Sequence, residues 1–373
     1  MIEGGDRADA LLRRARETGR ALGARLRGQS AGKEEHARAL YDGFVKAGYH
    51  ALLVPEACGG AGLGYASAGA IYEELSYHAI GLMPALLTTA HCAELLKIAG
   101  AGRSFGYLER IARGGIFGFC LTEREAGSDI TGIRCTASAT EKGYLINGEK
   151  SVVINSSIAD FFIVIATTGF QKGRAGLGAF LVDTTLPGVE RFGPECGFGF
   201  EESVIGSVRF SDVSIPGDSL LGEEGNAYFQ VMESLDKGRP LVAACCVGAA
   251  RRLMDIVTAH ARQREQFGKP LIAFQGISFR LADLATRLKA ARLLYADALS
   301  LIDSGREFTM EASMAKLFAS ETLRDFAEFA LEALGHRAFE DGSEVRNIFN
   351  DAQLLISIDG SSNVQRMVIA SQL

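Results

Sequence analysis

Apolar positions along the 373-residue chain change period twice. Up to about residue 115 they recur at helical spacing. Leu11, Leu12, Leu22 and Leu26 can share one face of a first helix, and Leu40, Phe44, Val45 and Ala47 recur at the same spacing. Pro55 and the cluster Gly59, Gly60, Gly62 and Gly64 interrupt that pattern as a loop. A second helical stretch over 71–75 follows, then an apolar segment up to Ile98. From about 116 to 225, β-branched and aromatic runs at 144–148, 151–154, 161–165, 179–182 and 207–210 alternate with turn signals. They predict a compact β domain of six to eight strands, with Asn147-Gly148 as a hairpin turn. Beyond about 226 the helical period returns. Leu281, Leu284, Leu288, Ala291, Tyr295, Leu299 and Ile302 describe the seam of a long bundle helix, with similar helices over 238–264 and 310–334 and a last one from Asn363. The pattern predicts an α+β protein, mostly α, in three domains: residues 1–115 helical, 116–225 β, and 226–373 a helical bundle.

Composition narrows the function classes. A formal net charge of −6 lacks the basic footprint of a general nucleic-acid binder. No apolar run approaches the roughly 18–20 residues of a membrane span, so no membrane partner is expected. Residues 1–28 are rich in Arg and Ala and have the look of a transit peptide, but acidic residues and the apolar face favour a first helix. The seven cysteines (Cys58, Cys92, Cys120, Cys135, Cys196, Cys245 and Cys246) form no CxxC pair. They read as buried thiols of a reducing, cytoplasmic compartment. The six histidines show no ligand spacing, and no metal is expected. A strand-borne GxGxxG, a P-loop and a GxSxG are all missing, which removes weight from a Rossmann dinucleotide enzyme, an NTPase and an α/β-hydrolase.

Six segments, in order and spanning nearly the whole chain, resemble the acyl-CoA dehydrogenase family. Phe119-Cys-Leu-Thr-Glu-Arg-Glu-Ala-Gly-Ser-Asp129 is similar to that family's CxTEPxAGSD signature, and Asn147-Gly-Glu-Lys150 with Asn155 to its NGxKxWITN segment. Pro55-Glu-Ala-Cys-Gly-Gly60 resembles its PExxGG loop, and Phe210-Ser-Asp-Val-Ser-Ile-Pro216 with Leu221-Gly-Glu-Glu-Gly225 its exit from the β domain. Arg264-Glu-Gln-Phe-Gly268 with Gln275 resembles its RxxFG…Q motif, and Ile358-Asp-Gly-Ser361 stands where the family carries YEGT. The resemblance implies an N-terminal helical domain, a middle β-barrel-like domain, a C-terminal four-helix bundle, bound FAD, and a homodimer or homotetramer. It also implies an oxidoreductase that desaturates an acyl thioester.

Such a reaction needs a carboxylate base for the α proton and donors for the developing enolate oxygen. The resemblance makes Asp359 the base, where the family has Glu. Asp is one methylene shorter, and it is also a favoured helix N-cap. Nitroalkane-oxidising members of the superfamily also use an Asp base. A second family position for the base falls on Gly238, which cannot serve. Arg239 matches an arginine near the catalytic carboxylate; its alternative is a salt bridge with Asp236. At the flavin the resemblance places Thr122, with backbone groups of Phe119 and Leu121, then Gly127, Ser128, Val153 and Ile154. Arg264, Gln266, Phe267 and Gln275 would reach the flavin of a neighbouring subunit, Arg264 offering a planar fork to the pyrophosphate.

Two departures stand out. The family Trp and Thr of the flavin-facing strand correspond to Val152 and Ile154, and the chain has no Trp. The glycine-rich turn that cradles the pyrophosphate is reduced to Glu332-Ala-Leu-Gly335-His336-Arg337, leaving His336 or Arg337 to replace amide contacts with charge. Ser361 and Asn363 match positions near the flavin or cap the last helix. The resemblance implies as substrate an acyl thioester on CoA or on an acyl carrier protein, as in members that process carrier-bound extender units in secondary metabolism. The electron acceptor it implies is a separate flavoprotein. The alternatives are a flavin oxidase or monooxygenase that hands electrons to oxygen, or a flavin-free relative serving as a partner subunit.

Overall fold

A computed structural model describes residues 3–26, 33–100, 103–169, 173–193, 198–200 and 202–373; Cys196 lies outside them, as does the side chain of Leu26. Helices α1 (Glu3–Leu26), α2 (Lys33–Ala47), α3 (Tyr65–Ala79), α4 (Met83–Ala99) and α5 (Arg103–Ala112) come first. Leu11 and Leu22 of α1 and Leu40 and Phe44 of α2 are buried, as the helical spacing predicts. The loop expected at Pro55–Gly64 is present and carries two short 3-10 turns. α5 was not anticipated. Contrary to the expectation that no run is apolar enough to span a membrane, residues 65–99 contain an 18-residue window of mean hydropathy 1.4. That whole window is buried in the protein, so α3 and α4 are core helices, separated by a 3-10 turn at Ile80–Leu82.

Strands β1 (Phe117–Cys120), β2 (Thr136–Thr140), β3 (Gly143–Ile154), β4 (Phe161–Thr167), β5 (Leu177–Asp183), β6 (Val189–Phe192) and β7 (Ile205–Pro216) form one curled sheet. Its order is β1-β4-β2-β3-β7-β6, with β5 also paired to β4. β4 and β5 are continuous apolar runs because they are buried throughout almost their whole length.

One expectation fails here. Asn147-Gly148 is not a hairpin turn; it lies inside the long strand β3, and the turn that joins β2 to β3 is at 141–142. The register against β7 shifts between Ile146 and Gly148, so Gly148 sits in a bulge at φ 142°, where a Cβ would meet the Cys135 backbone at 2.7 Å. Asn147 is held there by Asp212: its Nδ2 donates to Oδ1 at 3.0 Å, and its Oδ1 accepts from the Asp212 amide at 2.8 Å.

The last third holds α6 (Ala227–Gln263), a short hairpin of β8 (Glu265–Gln266) and β9 (Lys269–Pro270), then α7 (Gln275–Asp303), α8 (Thr309–Leu334), α9 (Glu344–Leu355) and α10 (Ser362–Ser371). α8 packs against α6, α7, α9 and α10, and α3 packs against α6 and α7, so the first helices and the bundle share one core. On α7 the predicted seam holds: Leu281, Leu284, Ala291, Tyr295 and Leu299 are buried, and Leu288 and Ile302 pack against them half-buried. α9 was not anticipated.

Candidate active site

Asp359 stands between α9 and α10 in the left-handed region (φ 54°), followed by Gly360 at φ 93°. Several backbone oxygens of this turn have side-chain donors. Lys316 Nζ, reaching from α8, donates to Ile356 O at 2.7 Å and Gly360 O at 2.8 Å. Gln365 Nε2 donates to Asp359 O at 2.9 Å and to Gly360 O at 3.0 Å. The N-cap of α10 is Ser361, whose hydroxyl accepts from the Val364 amide, so the Asp359 carboxylate is free of capping duty.

That carboxylate, 9% exposed, instead meets His91 of α4, with Nε2 to Oδ2 at 2.8 Å. His91 Nδ1 lies 3.4 Å from the Ser234 hydroxyl of α6. Burial pushes the Asp359 carboxyl upward, but the charge and hydrogen bond of His91, with Lys316 and Arg239 further off, outweigh it and hold it below its ordinary value. His91 is the mirror case: burial pushes it down, while Asp359 more than compensates and raises it. Burial pushes Lys316 down to about 8. Arg239 does not touch Asp359. Its guanidinium pairs with Asp236 and donates to Ser313 Oγ at 3.1 Å, acting on Asp359 only through space.

A narrow cavity adjoins His91, lined by Leu53, Leu87, Ala90 and Leu241 and by Tyr65, Glu94, Ser234 and Lys237. Its free space holds about one water molecule. Its polar wall is a network. Glu94 accepts from Tyr65 at 2.5 Å and from Lys237 at 2.8 Å and pairs with Lys97. Burial raises the Glu94 carboxyl, but Lys97 and Lys237 prevail and hold it low.

At the sheet, the loop after β1 is fastened to β3. Glu123 accepts from Lys150 Nζ at 2.7 Å and from the amides of Arg134 and Cys135, while Lys150, wholly buried, also donates to Leu121 O at 3.0 Å. Asn155, at φ 65°, anchors the other end of β3 by donating to Phe117 O and Ala85 O. The Ser151 amide donates to Thr122 O at 2.9 Å, which places Thr122 beside Val152. Val152 is 62% exposed in a left-handed bulge (φ 56°). Phe119, Leu121, Thr122 and Ile154 are half-buried, Gly127 and Ser128 exposed, and Val153 points into the core. A hydroxyl beside an outward apolar side chain suits a flat, partly polar ring; Ile154 adds no donor.

Arg264, Gln266, Phe267 and Gln275 lie exposed on and after the β8–β9 hairpin, with Phe267 93% exposed at φ 52°. Arg264 has no ion pair among the described residues. It and Arg337 both bear on His260, so two cations gather at one end of the bundle, a donor set that suits a diphosphate. Glu332, Gly335 and His336, at the end of α8, and Asn363 are exposed as well.

Sequence reasoning singled out Asp359 but passed over His91 and Lys316. Glu123, Lys150 and Asn155 were visible only as motif letters. The only signal for His91 is a lone polar ring in the apolar run of α4, which is weak without the fold.

Comparison with known proteins agrees with this fold. Residues 7–115 match the acyl-CoA dehydrogenase N-terminal domain, 118–213 its middle domain and 228–373 its C-terminal domain. An acyl-CoA dehydrogenase of Bacillus subtilis (strain 168) is 34% identical over 334 residues, 88% of each chain. The solved structure titled PigA with FAD and proline has a TM-score of 0.91 at 26% identity, covering all of this chain and 97% of that one. The prolyl acyl carrier protein oxidase AnaB has a TM-score of 0.89 at 26% identity, covering all of this chain and 99% of that one. With three domain matches in order along nearly its full length, the chain belongs to the acyl-CoA dehydrogenase family of flavoprotein oxidoreductases.

Proposed function

We propose that the protein is an FAD-dependent dehydrogenase that desaturates a short acyl thioester at its α,β bond, with Asp359 removing the α proton. The observation that carries this reading is the Asp359 carboxylate itself. It is nearly buried, released from capping, ionised by the basic groups His91, Lys316 and Arg239, and set on a turn whose Ile356, Asp359 and Gly360 oxygens are held by Lys316 and Gln365. A base so arranged meets substrate already deprotonated, at a fixed position. Bound FAD supplies the acceptor for the β hydrogen as hydride. Thr122, with the backbone around Phe119 to Leu121 and Val152 to Ile154, would face the ring system, and Ser128 the pyrophosphate or thioester arm. Arg264, Gln266, Phe267, Gln275, His336 and Arg337 would hold the dinucleotide of a second copy of the chain.

The space beside His91 holds about one water molecule and ends on Tyr65, Glu94 and Lys237, which leaves no room there for a long acyl chain. An alkyl chain pushed against that charged network would strip solvation from it without offering a hydrogen bond. The carrier is CoA or an acyl carrier protein, a class supported by the likeness to AnaB. The six described cysteines are free and buried, in keeping with a reducing, cytoplasmic location. The acceptor is a separate flavoprotein. One observation favours an oxidase instead: Ile154 offers no hydrogen bond at the strand that would face the flavin.

Purified protein should be yellow and should bleach anaerobically with a short acyl-CoA or acyl-pantetheine, with the rate falling as the chain lengthens. Asp359→Asn should keep the flavin and lose the bleaching; normal bleaching in that variant would remove Asp359 as the base. Admitting air to the reduced enzyme separates the acceptors. Slow recovery of colour supports an acceptor flavoprotein, and recovery within the mixing time supports the oxidase.

A further inference from the structure

In the ordinary course a buried carboxylate base is tuned by the apolar wall around it; here a second titratable side chain touches it. His91 Nε2 lies 2.8 Å from Asp359 Oδ2, although 268 residues separate the two. The charged and titratable groups facing the carboxylate come from three helices: His91 on α4, Arg239 and Cys245 on α6, and Lys316 on α8. Arg239 is engaged by Asp236 and Ser313, and Lys316 by two backbone oxygens, so among the described residues His91 alone makes a hydrogen bond to the carboxylate. The room for the ring comes from α6. A Cβ at Gly238 would stand 2.0 Å from His91 Cε1 and 2.6 Å from Nε2, so any side chain there would evict the imidazole. Gly238 thus leaves open the space that His91 fills.

We propose that His91 is the positioning residue of the base: its Nε2–H aims and anchors the shorter Asp359 carboxylate, in space that only glycine at 238 leaves free. This rests on the reading of Asp359 as base. In the reaction the α C–H bond breaks, its proton passing to the carboxylate and its electron pair forming the α,β double bond, while the β C–H bond breaks and leaves with its own pair as hydride to bound flavin. His91 neither gains nor loses a proton overall. Its cation lowers the proton affinity of Asp359 before substrate arrives, so the base is ionised at a lower pH than a carboxyl in that pocket would otherwise be.

Two measurements on the flavin-bound protein test this. In the first, imidazole nitrogens of 15N-histidine-labelled protein are titrated by NMR, with His91 assigned by the signal missing in His91→Gln. His91 should remain doubly protonated above the ordinary histidine range of about 6.5, and Asp359→Asn or Gly238→Ala should each abolish that. A His91 that is neutral near pH 7, or indifferent to Asp359→Asn, overturns the proposal without need of substrate. In the second, anaerobic bleaching by butyryl-CoA and butyryl-pantetheine is followed against pH. His91→Gln should slow the limiting rate about tenfold with little change in KM, and move the acid limb up by roughly one pH unit, the equivalent of that tenfold. If His91→Gln overlays the wild-type profile while Asp359→Asn is dead, the base stands and the positioning role falls. If Asp359→Asn bleaches like wild type, the reading of the base falls with it.

Discussion

Lys150 and Glu123 show how a single pair can fasten a loop to a strand. Lys150 is wholly buried and Glu123 nearly so, and Glu123 spends its remaining lone pairs on the amides of Arg134 and Cys135. Removing one partner of such a pair strands the other charge, which costs about 3–5 kcal/mol. Lys150→Met should therefore lower the unfolding free energy by that amount and loosen flavin binding, both read by urea titration with flavin fluorescence. The double variant Lys150→Met/Glu123→Gln should recover part of the stability, since no bare charge remains. The pH sign follows from Glu123. Burial alone would raise its carboxyl, but Lys150 and the two amides prevail and hold it below the ordinary value. Its contribution is thus present above the unfolded carboxylate pKa, about 4.3, and is lost as pH falls through the lower folded value. The wild-type advantage over the double variant should shrink in acid below that point. At this scale the motif letters marked Lys150, Glu123 and Asp359 in the sequence, but not that the first two pair, nor that His91 meets the third. Partnership across 27 or 268 residues is decided by packing, and no local pattern records it.

Elements were legible wherever one period persisted long enough. The α7 seam runs for six turns and holds against the core; the apolar strands β4 and β5 are equally plain. Short or bulged elements were not. Asn147-Gly148 carries the letters of a tight turn, and only the pairing of β3 with both β2 and β7 makes it a bulge instead. α9 has Val345, Ile348, Ala352 and Leu355 on its buried face, but over only 12 residues. Contacts between elements far apart in sequence were equally hidden. α3 begins at Gly64, which has no side chain to cap it, and the cap comes from the far end of α7: Asp303 accepts from the Tyr65 amide at 2.6 Å and the Ala66 amide at 2.9 Å. Asp303→Ala should cost about 1 kcal/mol in urea unfolding, the ordinary value of a lost N-cap. Asp303→Asn, which keeps an accepting oxygen, should cost less. Equal losses in the two variants would mean that the negative charge at the helix N-terminus, not the hydrogen bonds, is what matters.

Across the described residues, large apolar side chains remain exposed at Phe105, Val152, Phe198 and Phe229, and then on the last third of the chain at Phe267 on the hairpin, Phe279 and Leu293 on α7, Phe339 after α8, and Met367 and Leu373 at the end. Scattered exposed leucines are ordinary, but a phenylalanine 93% exposed on a two-residue turn is held in water at a cost that a partner would remove. The same hairpin carries Gln266 and follows Arg264, and both residues are set out from the body of the chain rather than turned into it. If a second copy of this chain receives the hairpin, flavin binding and assembly are one equilibrium, because each flavin is then closed by residues of both copies. Phe267→Asp should accordingly lose both together: light scattering should fall from a multiple of the chain mass to the monomer, and the visible flavin absorbance should leave with the low-molecular-weight fraction on gel filtration. Arg264→Ala separates the two contributions. It leaves the apolar contact intact, so the oligomer should persist while the flavin becomes removable by dialysis. A Phe267→Asp protein that stayed assembled and yellow would place the subunit contact elsewhere and leave the hairpin with no part in holding the cofactor.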